Sequence, residues 1–265
     1  MPSLLYAIGN VELLDTTCFS IVGTRHITEY GRLECKYFSR ELTKLGITIV
    51  SGMAIGTDTV AHNECIDNGG STIAVLGCGL NKVDNKAKEI FNKILKCGGL
   101  VISEYSPNEE VKSRNFPHRN RIICGLSEGV LAIEATEKSG TGTSMRWAKK
   151  LNIPRFACPG RLDSKYGHGV NKFIKEGAII TTDIKDIIKE LPYLINEKSP
   201  LKNNNIFNDN DINTKILECL DGIKSLTEIE KETALGRNQL LPLLMELELK
   251  GKVFNVYGAG YKRKV

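Results

Sequence analysis

Short apolar runs alternate with stretches of helical periodicity from residue 18 to residue 191. Cys18–Val22, Ile47–Ser51, Thr72–Leu76, Leu100–Ser103, Gly129–Ala135, Ile153–Cys158 and Ala178–Thr181 are short and largely apolar, the signature of strands buried on both faces. Between the first two, Thr28–Leu45 sets Tyr30, Leu33, Tyr37/Phe38, Glu41/Leu42 and Leu45 at helical spacing, and Gly46 closes the helix. Further helices are predicted around Asp58–Asp67, Lys86–Lys96, Thr143–Leu151, Val170–Lys175 and Asp183–Leu191, with a short apolar one opened by Pro117. Repeated strand–helix alternation predicts an α/β fold with a doubly wound parallel sheet. Ligands of such folds bind beyond the carboxyl ends of the strands.

The pattern breaks at Tyr193–Asn213, where Asn203–Asn205 and Asn208–Asp211 are polar and aperiodic; this segment reads as a linker. The expected division is a first domain over 1–192, a linker over 193–213 and a small domain over 214–265. In the last, Thr214–Leu220, Leu226–Leu235 and Asn238–Lys250 read as helices. Val253–Tyr257 and Tyr261–Lys264 flank a Gly258–Gly260 turn as a hairpin. Three helices and a hairpin predict a winged helix-turn-helix. Its third helix is rich in Leu and carries Glu246 and Glu248, while Lys252, Lys262, Arg263 and Lys264 gather in the wing. That distribution argues against base reading in a major groove. It leaves protein contact or non-specific nucleic-acid contact through the wing.

Apolar content of 41% and charged content of 25% over 265 residues are those of a globular protein, and a net charge of +5 permits a nucleic-acid partner without arguing for one. No run suits a membrane helix, and the first residues lack the basic region of a secretory signal, so a cytoplasmic protein is expected. The eight cysteines form no Cys-x-x-Cys pair and sit mostly in apolar segments, as reduced thiols acting as small hydrophobes. Neither they nor the four histidines have metal-ligand spacing, so no metal is expected.

The candidate chemistry lies in loops that follow strands. Residues 114–127 crowd Arg114, His118, Arg119 and Arg121 between a strand and a helix, with Arg119 and Arg121 in or near the first helical turn. Guanidinium groups there suit phosphate or carboxylate. Four small-residue loops join them: Gly23-Thr24-Arg25, Ser51–Asp58 containing Gly52, Gly77-Cys78-Gly79, and Lys138-Ser139-Gly140-Thr141-Gly142-Thr143. Each alone is explicable as a tight turn; together they offer a floor of N–H groups. They match neither the Gly-x-Gly-x-x-Gly nor the P-loop fingerprint, and no cofactor is expected.

At these residues the chain resembles the DNA-processing protein A family (DprA, or Smf). The resemblance rests on Ile21–Arg25, Val50–Asp58 with Ala61-His62, Ser103-Glu104-Tyr105, Asn115–Arg121 with Gly125-Leu126-Ser127, Glu134-Ala135 with Lys138-Ser139-Gly140, Pro159-Gly160 and Lys175–Ala178. It covers roughly residues 2–191, and the winged helix is similar to the family's C-terminal module. It implies an extended Rossmann-like, mostly parallel domain that binds single-stranded DNA, forms a homodimer, and delivers the strand to the RecA recombinase in natural transformation, without catalysis. Carried over by motif, the basic contacts are Arg25, Arg119, Arg121, Lys138 and Lys175. Phe116, His118 or Tyr105 are candidates to stack on bases, with core packing the alternative for Phe116 and Tyr105. The candidate DNA-binding set is therefore Gly23, Thr24, Arg25, Gly52, Phe116, His118, Arg119, Arg121, Lys138, Ser139, Gly140, Thr143 and Lys175. The chain departs from the pattern in Val83-Asp84-Asn85 after Gly79 and in the Gly140–Thr143 loop, and the family's helical N-terminal domain is expected to be missing.

Two other readings remain. A nucleotide phosphoribohydrolase of the lysine-decarboxylase-like (LOG) type needs a carboxylate beside the glycosidic bond. After Thr143 the chain has Ser144, Met145 and Arg146 instead. The remaining acids near strand ends, Glu104 and Glu134, are expected to pair with arginines, and Asp58 to cap a helix. A mononucleotide-sensing regulator is the third reading.

Overall fold

The computed structural model describes residues 2–195, 216–233, 237–249, 251–256 and 260–263. The chain divides into two compact units, Met1–Leu201 and Lys202–Val265. The first holds strands β1 (Tyr6–Gly9), β2 (Cys18–Val22), β3 (Thr48–Ser51), β4 (Thr72–Leu76), β5 (Leu100–Ser103), β6 (Val130–Ala132), β7 (Arg155–Ala157) and β8 (Ile179–Ile180). They form one eight-stranded sheet in the order β1-β5-β4-β3-β2-β6-β7-β8. All pairings are parallel except that of β1 with β5. The sheet is Rossmann-like and mostly parallel, in line with the apolar strand pattern. β1 escapes a pattern-based reading because it is an edge strand with three of its four residues exposed, so it carries no buried apolar run.

Alternation along the strands feeds two helical layers. On one face Val22, Val50, Ile73, Val75, Leu100 and Ile102 meet α4 (Asn115–Gly125), α5 (Gly140–Lys150) and α6 (Lys165–Lys175). On the other, Phe19, Ile21, Ile49, Leu131 and Phe156 meet α1 (Glu29–Lys44), α2 (Thr57–Asp67) and α7 (Ile184–Glu190). α3 (Asn85–Lys96) covers Ala74, Leu76 and Val101. Phe19, Phe38 and Phe156 are fully buried, and truncating any of them to Ala would cost about 3–5 kcal/mol. Six of the eight cysteines are buried and all are free thiols; burial pushes Cys18 and Cys65 up to about 11 and Cys124 up to about 12. They behave as small hydrophobes rather than nucleophiles.

Several boundaries differ from the sequence expectation. α5 begins at Gly140, with Ser139 as its cap, so the Gly-Thr-Gly-Thr run is the first turn of the helix and not a loop. α6 begins five residues before Val170, because Gly167 and Gly169 hide a helix that must lie against backbone. A Cβ on Gly167 would stand 2.2 Å from the Arg161 carbonyl oxygen, and one on Gly169 would stand 2.5 Å from that of Ala135. Tyr193 and Leu194, expected in the linker, pack on the first unit: Tyr193 donates to Glu128 at 2.8 Å and Leu194 is buried.

The second unit contains helices over 216–219 (α8), Leu226–Thr233 (α9) and Arg237–Leu249 (α10), and an antiparallel ladder of β9 (Val253–Val256) with β10 (Gly260–Arg263). Its core is Ile216, Leu220, Ile229, Leu240, Leu244, Leu247, Val253 and Tyr261. Burial of three leucines accounts for the apolar character of α10. Linker residues 196–213, Thr214, the Gly236 turn, Lys250, the hairpin tip at Gly258-Ala259, and Lys264 lie outside the described residues.

Candidate nucleic-acid interface

The strand order reverses between the parallel neighbours β2 and β6: the chain leaves β2 toward β3 on one side, and β6 is laid down on the other. The loops that follow these two strands diverge and leave a crevice at their carboxyl ends. The crevice is a cleft of about 500 Å³, walled by the Gly23–His26 loop, Phe116, Arg119 and Asn120 of α4, Lys138–Thr141, and Lys165-Tyr166. The N-terminal turns of α4, α5 and α6 all open on it, a setting that favours an anion. At α5 the Ser139 hydroxyl accepts from the Gly142 N–H at 3.3 Å, while the Thr141 hydroxyl is buried without a partner.

The rim is basic and aromatic. Arg25, His26, Lys138 and Lys165 are exposed and line the cleft. The Arg25 guanidinium lies 5.5 Å from the centre of the half-buried Phe116 ring, and the Lys165 ammonium 5.1 Å from that of Tyr166. Opposite walls therefore each carry a cation beside an aromatic face, the pairing used to hold phosphate and base together. Asp58 is the one carboxylate among the described residues that lines the cleft.

Under this rim lies a buried polar floor built around Arg119, which is 4% exposed. Its Nη1 donates to the Gly52 carbonyl at 2.7 Å and to the Val75 carbonyl, and its Nε donates to Asn120 Oδ1 at 3.2 Å. Asn120 Nδ2 in turn donates to the Gly140 carbonyl at 3.3 Å. Asp58 accepts from the Ala54 N–H at 3.3 Å; burial pushes its carboxyl up while the Arg119 charge pulls it back. Burial likewise pulls the Arg119 guanidinium down, and Asp58 opposes that. His62 is neutral, held down at about 3 by burial and by the Arg119 charge, with Nδ1 2.7 Å from the Thr72 hydroxyl.

The candidate residues thus separate. Arg25, Lys138, Ser139, Gly140 and Phe116 stand together at the cleft. Gly23 and Thr24 line it as structure: a Cβ on Gly23 would meet Thr57 Oγ1 at 2.3 Å, and the Thr24 carbonyl accepts from the Thr57 N–H at 3.1 Å. Gly52 is buried beneath Arg119, where a Cβ would lie 2.4 Å from Nη2. Thr143 accepts from Arg146 at 2.9 Å and is not in the lining.

The arginine pair expected to act together is split by helix geometry. Residues two apart on a helix point roughly 200° apart, so with Arg119 inward, Arg121 faces away. Because α4 starts at Asn115, both also fall beyond its first turn. Arg121 donates to Glu104, and His118 Nδ1 lies 3.5 Å from the same carboxylate. Lys175 ends α6 and Lys165 begins it, about 15 Å apart along the axis; Lys175 therefore sits at the opposite end of the sheet from the cleft. Glu104 pairs with an arginine as expected. Glu134 instead accepts the N–H and hydroxyl of Thr28, and Asp58 stands inside α2, whose cap is Gly56.

Sequence reasoning missed Lys165, Tyr166, His26 and Asn120 at the cleft. The signal for the first two was a lysine and a tyrosine just after a strand, obscured by the glycines that follow. Among the described residues no group of three or more His, Cys, Asp or Glu is placed to hold a metal ion, and no helix is long and apolar enough to cross a membrane.

Residues 1–192 match the family model described as DNA recombination-mediator protein A. The chain belongs to that family. It is 32% identical over 269 residues to the protein Smf of Escherichia coli, covering 99% of this chain and 72% of that protein. It is 36% identical over 192 residues to the DNA processing protein DprA of Streptococcus pneumoniae, covering 72% of this chain and 68% of the relative. Against the Synechocystis protein Smf it spans 49% of the relative's length. The solved structure of the S. pneumoniae protein superposes with a TM-score of 0.67 at 37% identity, over 71% of this chain and 66% of that one. That of the Helicobacter pylori DNA processing protein A, described for its single-stranded DNA binding mode, superposes with a TM-score of 0.66 at 33% identity, over 72% and 87%. The family's mostly parallel Rossmann-like domain and this unit are one architecture.

Proposed function

We propose that this protein is a recombination mediator that binds single-stranded DNA without regard to sequence, holding it in the cleft between the β2 and β6 loops. The carrying observation is the pairing of exposed cations with aromatic faces on both walls, Arg25 with Phe116 and Lys165 with Tyr166. Phosphate neutralisation by Arg25, Lys138 and Lys165 supplies affinity that falls with salt, and the rings accept any base. The single-stranded DNA binding named for the H. pylori relative supports the same reading.

On this reading the protein acts as a homodimer that hands its strand to a RecA-type recombinase in natural transformation, in the cytoplasm. The second unit is a winged helix whose core-facing leucines on α10 suit packing and protein contact better than base reading. On this reading the cleft binds the strand and does not hydrolyse it: glycosidic hydrolysis calls for a pair of carboxylates, and among the described residues Asp58 alone lines the cleft, engaged by Ala54.

The test is fluorescence anisotropy of labelled oligo-dT over a salt series, competed by duplex DNA. Tight, salt-sensitive binding that prefers single strands is expected; no binding at low salt overturns the reading.

A further inference from the structure

A second groove, about 520 Å³, shares the Arg25 and His26 wall with the cleft and runs from it across α2 toward α3. Arg32, Lys86 and Lys93 line it, against a single acid, Glu89. Lys86 and Lys93 are seven residues apart, so they stand on one face of α3, about 10 Å from each other along its axis. Arg32 and Lys86 are exposed. Among the described residues the one ion pair of Arg32 is with the exposed Glu29, at 3.6 Å, and Lys93 is held by Asn63 and Asp67 at 2.9 and 2.8 Å. Lys86 has no carboxylate within ion-pair distance among the described residues.

The Met53–Gly56 turn contributes to both depressions, Ala54 lining the cleft and Met53, Ile55 and Gly56 lining the groove. Met53 adopts φ +56° and Gly56 φ +95°, and Ile55 at the crest is 61% exposed. A bulky residue with positive φ is uncommon and is kept where the surrounding structure demands it. Here the Thr57 N–H donates to the Thr24 carbonyl, pinning the turn to the Arg25 loop. The result is a fixed apolar crest flanked by cations on either side.

We infer that this groove is a second phosphate track: a DNA strand leaving the cleft crosses the Ile55 crest and lays its backbone along Arg32 and Lys86. A flexible polyanion leaving a basic cleft follows the adjoining wall of like charge. Glu89 makes the groove a weaker site than the cleft, and Ile55 offers an apolar face to whichever base sits over it. The inference rests on the single-strand reading of the cleft and deepens it by assigning the strand's exit.

The experiment compares a five-nucleotide with a twenty-nucleotide oligo-dT on the full chain, for wild type, Lys86→Glu, Arg32→Glu and, as the cleft control, Lys138→Glu. Circular dichroism verifies folding; both groove positions are exposed, so the variants are expected to fold. For the long oligomer Lys86→Glu and Arg32→Glu each weaken binding at least about fivefold and reduce the salt slope by about 0.7 or more. For the short one they leave it within about twofold of wild type. Lys138→Glu weakens both. Unchanged long-oligomer binding in the groove variants overturns the track while leaving the cleft reading intact. Equal losses for both lengths also overturn it, since the residues would then belong to the cleft. Failure of wild type to bind either oligomer overturns the cleft reading and the track with it.

Discussion

Arg119 on α4 donates to the carbonyl of Gly52, 67 positions earlier in the chain, at 2.7 Å, and the same guanidinium nitrogen reaches the carbonyl of Val75. One side chain thus ties the β3 and β4 ends to α4, and through Asn120 to the first residue of α5. The exposed cations of the cleft stand on a floor that a buried cation fastens.

Arg119→Ala removes the charge that pulls the buried Asp58 carboxyl down and the donor to the Gly52 and Val75 carbonyls. The expected loss is about 3–5 kcal/mol of unfolding free energy near neutral pH, read by urea denaturation. Burial already pushes the Asp58 carboxyl up, and without Arg119 it rises further. A raised carboxyl is stabilising in its protonated form, so the variant's deficit shrinks as pH falls toward 4 and widens as pH rises. A deficit independent of pH contradicts the charge coupling of Arg119 to Asp58.

His62, with a native value of about 3, sits below its ordinary value near 6.5. The unfolded chain binds the proton first, so stability is complete above that value and declines as pH drops toward 3. The decline is at most about 1.4 kcal/mol per pH unit from this group. His62→Gln, which keeps an amide for Thr72, flattens that part of a stability–pH profile; an unchanged profile refutes the assignment.

Arg25→Ala and Lys138→Ala lower single-strand affinity for all sequences and reduce the salt slope by about 0.7 each. Arg121→Ala does not. Its charge is spent on Glu104, so it costs about 1–3 kcal/mol in stability while affinity for a short oligo-dT stays within about twofold. Anisotropy and thermal melts on the three variants separate the roles.

Gly23→Ala and Gly52→Ala act through packing. Each Cβ lands inside 2.5 Å of a buried side chain, Thr57 Oγ1 or Arg119 Nη2. A cost of about 1–3 kcal/mol is expected for each, with Gly52→Ala also loosening the floor. Calorimetry that finds either variant as stable as wild type excludes the close approach.

A fragment ending at residue 195 keeps Leu194 in the core and Tyr193 on Glu128, so it folds and retains most affinity for short oligo-dT. A fragment ending at 191 loses these contacts and melts at lower temperature. Equal melting temperatures contradict the packing of the Pro192–Ile195 turn.

The parallel sheet was legible because strands buried on both faces must be apolar throughout, and no other pattern satisfies that. The cleft's location was legible too, since a doubly wound sheet opens at its carboxyl edge, and the small residues and cations gather in the loops there. β1 was not legible: an edge strand with one covered face carries no such run. Nor were the separate fates of the arginines. A sequence gives Arg119 and Arg121 the same chemistry, and only the rotation of α4 against β4 turns one under the floor and the other onto Glu104. Lys165 was likewise decided by tertiary structure, because Gly167 and Gly169 blur the helical pattern and serve only to let α6 approach backbone that is distant in sequence. Local pattern determines which segments are buried; which face of a segment meets a ligand depends on contacts between residues far apart in the chain.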